Sequence, residues 1–133
     1  MFKVLAHTAD IKFKIEANNF EGIIKDSLRA INYYLSPKYK DRTKNLEKNF
    51  SKKIENKFNE FLIDFLNEIL ALTYIKKRIF RIRKINLNNK ILKLTLVGYS
   101  YNSLEREIKS ITYHQSKIYK KNNKYFFEFI VDV

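Results

Sequence analysis

The stretch from Ile54 to Leu72 constrains the fold most. Ile54, Phe58, Phe61, Leu62, Phe65, Leu66, Ile69, Leu70 and Leu72 recur at helical spacing. They fill far more than the arc of about 100° that a surface helix buries. A helix this apolar must be covered on more than one side. We therefore expect a central helix from Lys52 to about Ile75, capped by Ser51, with other layers packed around it.

Those layers are read as one further helix and several strands. Ile11-Lys12-Phe13-Lys14-Ile15-Glu16-Ala17 alternates strictly, so Ile11, Phe13 and Ile15 should face inward from a half-buried strand. Asn18 and Asn19 offer an N-cap, and Glu21, three residues past Asn18, completes a capping-box pattern. A helix then runs to Leu35 with Ile24, Leu28, Ile31 and Leu35 on one face. Ser36-Pro37 ends it, because the residue before a proline is pushed out of the helical region. Phe2 to Ala6 is a short apolar run, and Leu46 to Phe50 reads as a short strand. Arg78 to Leu87 and Lys90 to Tyr99 flank Asn88-Asn89, residues that tolerate a tight hairpin turn. Glu107 to Tyr113 and Ser116 to Tyr119 follow as strands. Asn122-Asn123 is a second turn, leading into a last strand that alternates Tyr125, Phe127, Phe129 against Phe126, Glu128, Ile130. The order is an α+β pattern, and 133 residues fit one domain, 1–133.

Composition excludes several functions. With no cysteine and two histidines, His7 and His114, the chain lacks the ligands of a soft transition-metal site. Two glycines cannot build a phosphate-cradling loop. No apolar run reaches the roughly 20 residues that span a bilayer, and Met1 to Asp10 lacks the apolar core of a signal peptide. The expected setting is cytoplasmic, with no membrane contact. The formal charge of +13 favours polyanions. It is uneven: Lys76 to Lys93 holds eight basic residues and no acidic one. Arg81 and Arg83 alternate with Ile82 there, which puts them on one strand face as candidate contacts for RNA or a protein partner. A solvated strand face is the alternative.

Oxygen ligands for a hard cation remain. Asp10 stands at the mouth of the first strand, and Asp132 with the carboxylate of Val133 closes the last. Taken alone, each has an ordinary reading, a strand-end cap or a solvated terminus. If the first and last strands pair, they converge, and a divalent ion would relieve their repulsion. His7 on its own reads as a hydrogen-bonded structural residue, and Lys109 as a solvated lysine. Asp64 and Asn67, three apart on the central helix, should hydrogen-bond to neighbouring backbone.

Four segments in order carry a resemblance. They are His7-Thr8-Ala9-Asp10-Ile11, Leu66-Asn67-Glu68-Ile69-Leu70, Lys109-Ser110-Ile111-Thr112-Tyr113-His114 and Asp132-Val133. Together they resemble the archease family from end to end. The resemblance implies a sandwich of two main helices packed between mostly antiparallel β-sheets. It also implies a non-catalytic cofactor of an RtcB-type RNA ligase in tRNA splicing and RNA repair, which promotes guanylylation and multiple turnover of the ligase. It places a divalent cation, Ca2+ in the family with Mn2+ or Mg2+ as alternatives, on Asp10, Asp132 and Val133. Lys109 and His7 stand beside it as functional neighbours, and RNA is met through the ligase. The chain departs from the family at Ala6, where an acidic residue is frequent, and in its basic charge. The competing readings are a basic RNA-binding module acting through Lys76 to Lys93, and a chaperone-like partner protein.

Overall fold

A computed structural model describes residues 10–42 and 44–133. Among the described residues, six strands and two helices follow one another as β1 (Asp10–Ala17), α1 (Phe20–Leu35), β2 (Lys44–Lys53), α2 (Phe58–Lys76), β3 (Arg78–Asn88), β4 (Ile91–Ser100), β5 (Ser110–Lys121) and β6 (Lys124–Asp132). They form two antiparallel three-stranded sheets, ordered β1-β6-β5 and β2-β4-β3. The helices pack between the sheets and bury one continuous core. This is the α+β sandwich expected from the sequence.

Both helices follow from local chemistry. Asn19 caps α1 through its side-chain oxygen, which accepts from Gly22 N–H at 2.8 Å. The cap therefore sits one residue later than the capping-box pattern placed it. Ile24, Leu28, Ile31 and Leu35 are all buried, and the helix stops at Ser36 before Pro37. The second helix corrects the expected start. Ser51 to Lys53 belong to β2, and α2 begins at Phe58, behind Lys57, with no side-chain cap. Its wide apolar surface is explained by its position: Phe61, Leu62, Ile63, Phe65, Leu66, Ile69 and Leu70 are all buried, with β5 on one side and β3 on the other. Lys77 in the left-handed conformation, φ 52°, closes it.

The turns behave as read, with small shifts. Asn122 and Asn123 both take positive φ in the β5–β6 turn. In the β3–β4 turn the pair is Asn89 and Lys90, one residue past the expected Asn88-Asn89. The two expected strands 107–113 and 116–119 are one strand, β5, interrupted by a bulge. Thr112 pairs with Ile130 and Lys117 with Glu128, so five steps on β5 oppose two on β6.

The Asn67 amide of α2 has a clear task. The Asn67 side chain accepts from Ile111 N–H at 2.9 Å and donates to Ile111 C=O at 2.8 Å. It thus ties the central helix to β5 just before the bulge. Asp64, one turn earlier, instead accepts from the Tyr113 hydroxyl, a side chain rather than backbone. Asn67→Ala would leave both backbone groups of Ile111 without these partners, an effect of about 2 kcal/mol. A drop of that order in chemical-denaturation stability, with Asp64→Ala far milder because Asp64 is exposed, is the expected result.

Candidate carboxylate site at the paired chain ends

The site is built by one ladder. In the register of β1 against β6, Ile11 faces Val131, Phe13 faces Phe129 and Ile15 faces Phe127. These pairs form the inner face, with the Phe13 and Phe129 rings stacked at 5.2 Å. The same register sets Asp10 directly opposite Asp132. Because strand side chains alternate, the two aspartates share the outer face. Directly opposed residues hold their Cβ atoms about 5 Å apart. The start of β1 and the end of β6 therefore meet at Asp10 and Asp132, the juxtaposition the carboxylate reading requires.

The surroundings refine that site. Asp132 also faces Ser110 across β5, and its carbonyl accepts from Lys109 N–H at 2.7 Å. Lys109 thus reaches the site through its backbone, while its side chain is exposed. Val133 follows half-buried against the core. His7 lies outside the described residues. His114 is exposed within the bulge, beside Gln115 at positive φ. Among the described residues no three His, Cys, Asp or Glu side chains gather closely enough to hold a metal. Asp10 and Asp132 make two carboxylates, an oxygen donor set that suits a hard cation in kind and falls short in number.

A third carboxylate on this face escaped the sequence reading. Glu128 lies on β6, the middle strand, and is only 7 % exposed. The Tyr119 hydroxyl donates to it at 2.6 Å, Lys12 sits at 3.0 Å and Lys117 at 3.9 Å. The Tyr119 hydrogen bond, then the Lys12 contact, then the charge of Lys117 hold its carboxyl at about 2, below the usual carboxylate range. Its one legible signal was an acidic residue on the outward side of an otherwise apolar middle strand. It stands four residues from Asp132, roughly 13 Å along the strand, too far to share an ion.

Arg81 and Arg83 each stand beside a carboxylate of the chain. Arg81 pairs with Asp41 at 2.9 Å and Arg83 with Glu47 at 2.7 Å. Both lie on the outer side of the sheet about the inward Ile82: Arg81 stands in the row of Glu47 and Val97, and Arg83, the extra residue where the β3–β4 register shifts between Ile82 and Lys84, reaches that same Glu47. Both guanidinium groups are engaged by carboxylates of the chain itself.

The sequence profile of the Archease protein family (MTH1598/TM1083) matches residues 2–133. The chain belongs to the archease family. A crystal structure of an archease from Thermotoga maritima, described as a possible chaperone, is similar at 24% identity and a TM-score of 0.70, over 96% of this chain and 93% of that one. The solution structure of Methanobacterium thermoautotrophicum protein 1598 is similar at 17% identity and a TM-score of 0.66, over 94% and 93%. Both share the fold of this archease. No curated protein matches it. Among the described residues no helix is long and apolar enough to cross a membrane.

The Glu128 cluster makes a pH prediction. A carboxyl whose folded pKa lies below its unfolded value stabilises the fold above the unfolded pKa. That contribution fades as pH falls toward the folded pKa. Glu128 should therefore stabilise this archease fully above pH 4.5 and lose that contribution by about pH 2. Glu128→Gln should lower the melting temperature at pH 7 and leave a shallower acid limb between those limits, followed by thermal melts across pH.

Proposed function

We propose that this archease is a non-catalytic activator of an RtcB-type RNA ligase in tRNA splicing and RNA repair. Its working part is a divalent cation held by Asp10, Asp132 and a backbone oxygen of Val133. The observation that carries the reading is the cross-strand register of Asp10 with Asp132 in a chain of this family. Two carboxylates side by side on one face repel each other, and a hard cation converts that cost into binding. Ca2+ fits the all-oxygen donor set, with Mn2+ and Mg2+ as alternatives.

The shortfall in ligands supports a shared ion. Calcium takes six to eight oxygens and magnesium six. Two aspartates and one backbone oxygen leave positions for water or for phosphate oxygens of a nucleotide held by the partner. A half-site of this kind suits a helper that completes another protein's active centre. The ion, when bound, supplies charge neutralisation at the phosphates during guanylylation of the ligase. Asp10 and Asp132 orient it. The exposed Lys109 side chain next to the ladder supplies a further cation for a phosphate oxygen. RNA is met through the ligase, and the basic surface is no part of this step.

The test is multiple-turnover ligation by the cognate ligase, with and without this protein. Asp10→Asn and Asp132→Asn should each cut the stimulated turnover at least tenfold. They should also weaken Ca2+ or Mn2+ binding in calorimetric titration, with melting temperature held within a few degrees. Full stimulation by both variants rejects the mechanism. A lost stimulation with unchanged ion binding would move the aspartates from cation ligands to direct partner contacts.

A further inference from the structure

The outer face of the sheet β2-β4-β3 holds a groove of about 670 Å3. Its polar lining comes from two successive cross-strand rows. Asn49, Thr95 and Lys84 form one, and Ser51, Lys93 and Asn86 the next. Phe50, Leu94 and Ile85 between them turn inward to the core. We propose that this groove binds the phosphodiester backbone of a single-stranded nucleic acid. It lies on the opposite layer of the sandwich from Asp10 and Asp132 and does not rest on the ligase reading.

Three observations carry it. The first is charge. Among the described residues no Asp or Glu lines the groove, and neither Lys84 nor Lys93 has a carboxylate partner. Nearby Asp41 is taken by Arg81, and Glu47 by Arg83 and Lys44. The arginines that stand out in the sequence are thus neutralised, and two lysines are left to meet an anion.

The second is the bulge. Phe80 and Ile82 face the core at even positions, Ile85 and Leu87 at odd ones. The extra residue at Arg83 reconciles the two and turns Lys84 outward, opposite Thr95. Without it Lys84 would point to the core side. Bulges re-aim side chains in this way beside functional sites. Lys84 and Lys93 then occupy adjacent rows, about 6.8 Å apart along the strands, comparable with the separation of consecutive phosphates in an extended strand.

The third is the floor. The lining is mostly apolar, and within it Asn49, Asn86, Ser51 and Thr95 supply amides and hydroxyls, the groups that bond phosphate and sugar oxygens. Thr95 and Asn49 are held to each other by a 3.1 Å hydrogen bond, so part of the floor is fixed. An acidic peptide would be expected at a free strand edge, where it can add to the ladder. This groove lies across a face, which suits a ligand recognised by its backbone charge.

The test is fluorescence anisotropy of the full chain with labelled 12-nucleotide single-stranded RNA and DNA, from low to physiological salt. Lys84→Gln/Lys93→Gln should weaken binding at least fivefold at low salt. It should also reduce the slope of log K against log salt by about 1.4, from roughly 0.7 per phosphate contact on a single strand. Lys12→Gln/Lys14→Gln, on the outer face of the other sheet, should leave both quantities near the parent values. Unchanged binding in the groove variant overturns the proposal, as does an equal loss in the control variant. Displacement of RNA by polyglutamate of matched charge at equal concentration overturns the nucleic-acid assignment. Equal binding of RNA and DNA supports backbone recognition, while a strong preference for either overturns it.

Discussion

The pairing of the first described strand with the last is the constraint on which this archease depends. Stacked Phe13 and Phe129, with Ile15 against Phe127 and Ile11 against Val131, lock the register of β1 on β6. A one-residue slip of β1 would turn Ile11, Phe13 and Ile15 to solvent. The core thus enforces, at no separate cost, that Asp10 opposes Asp132. It also sets β6 between two neighbours, so that Glu128 is sheltered while facing outward. The acidic end of the face and its buried ion cluster are both consequences of apolar packing on the other side.

Much of this was legible because it is local. Period-2 alternation identified β1 and β6 with the right faces, and the 3.6 period identified α1 with the right stripe. Strand pairing between residues more than 100 apart leaves no local trace, so the meeting of Asp10 and Asp132 could be stated only as a condition. The start of α2 was misplaced for a physical reason. Among the described side chains of β2, Leu46 and Phe50 pack toward the core, and lysines stand at the inward position between them, Lys48, and the one after, Lys52. An edge strand with so little apolar content looks like the polar lead-in to a helix, and Ser51 looks like its cap. The bulge in β5 was hidden because Tyr113, His114, Gln115 and Ser116 carry no pattern of their own. They are placed by Tyr113 on Asp64 and Ser116 on Asn59, both contacts with α2.

The basic stretch shows why counting charges along a chain misleads. Its residues divide into those the fold consumes and those it leaves available. Asp41 reaches Arg81 from the connection after α1, and Glu47 reaches Arg83 from β2. Neither contact is visible from β3 alone. Exposed ion pairs of this kind add little to stability, but they remove positive charge from one end of the sheet face. The available charge is displaced toward Lys84 and Lys93, where no carboxylate of the described residues competes.

The parity of β3 ties that displacement back to the core. Four side chains, Phe80, Ile82, Ile85 and Leu87, must all reach the helices from one strand, and their spacing breaks the two-residue period once. One residue has to be expelled between Ile82 and Ile85. The expulsion falls at Arg83, a long side chain that solvates easily, and Lys84 changes face as a result. The helices that require this packing also separate the two sheets. An ion at the Asp10 and Asp132 end and a strand in the β2-β4-β3 groove would therefore occupy opposite layers and exclude neither each other nor a protein partner at either one.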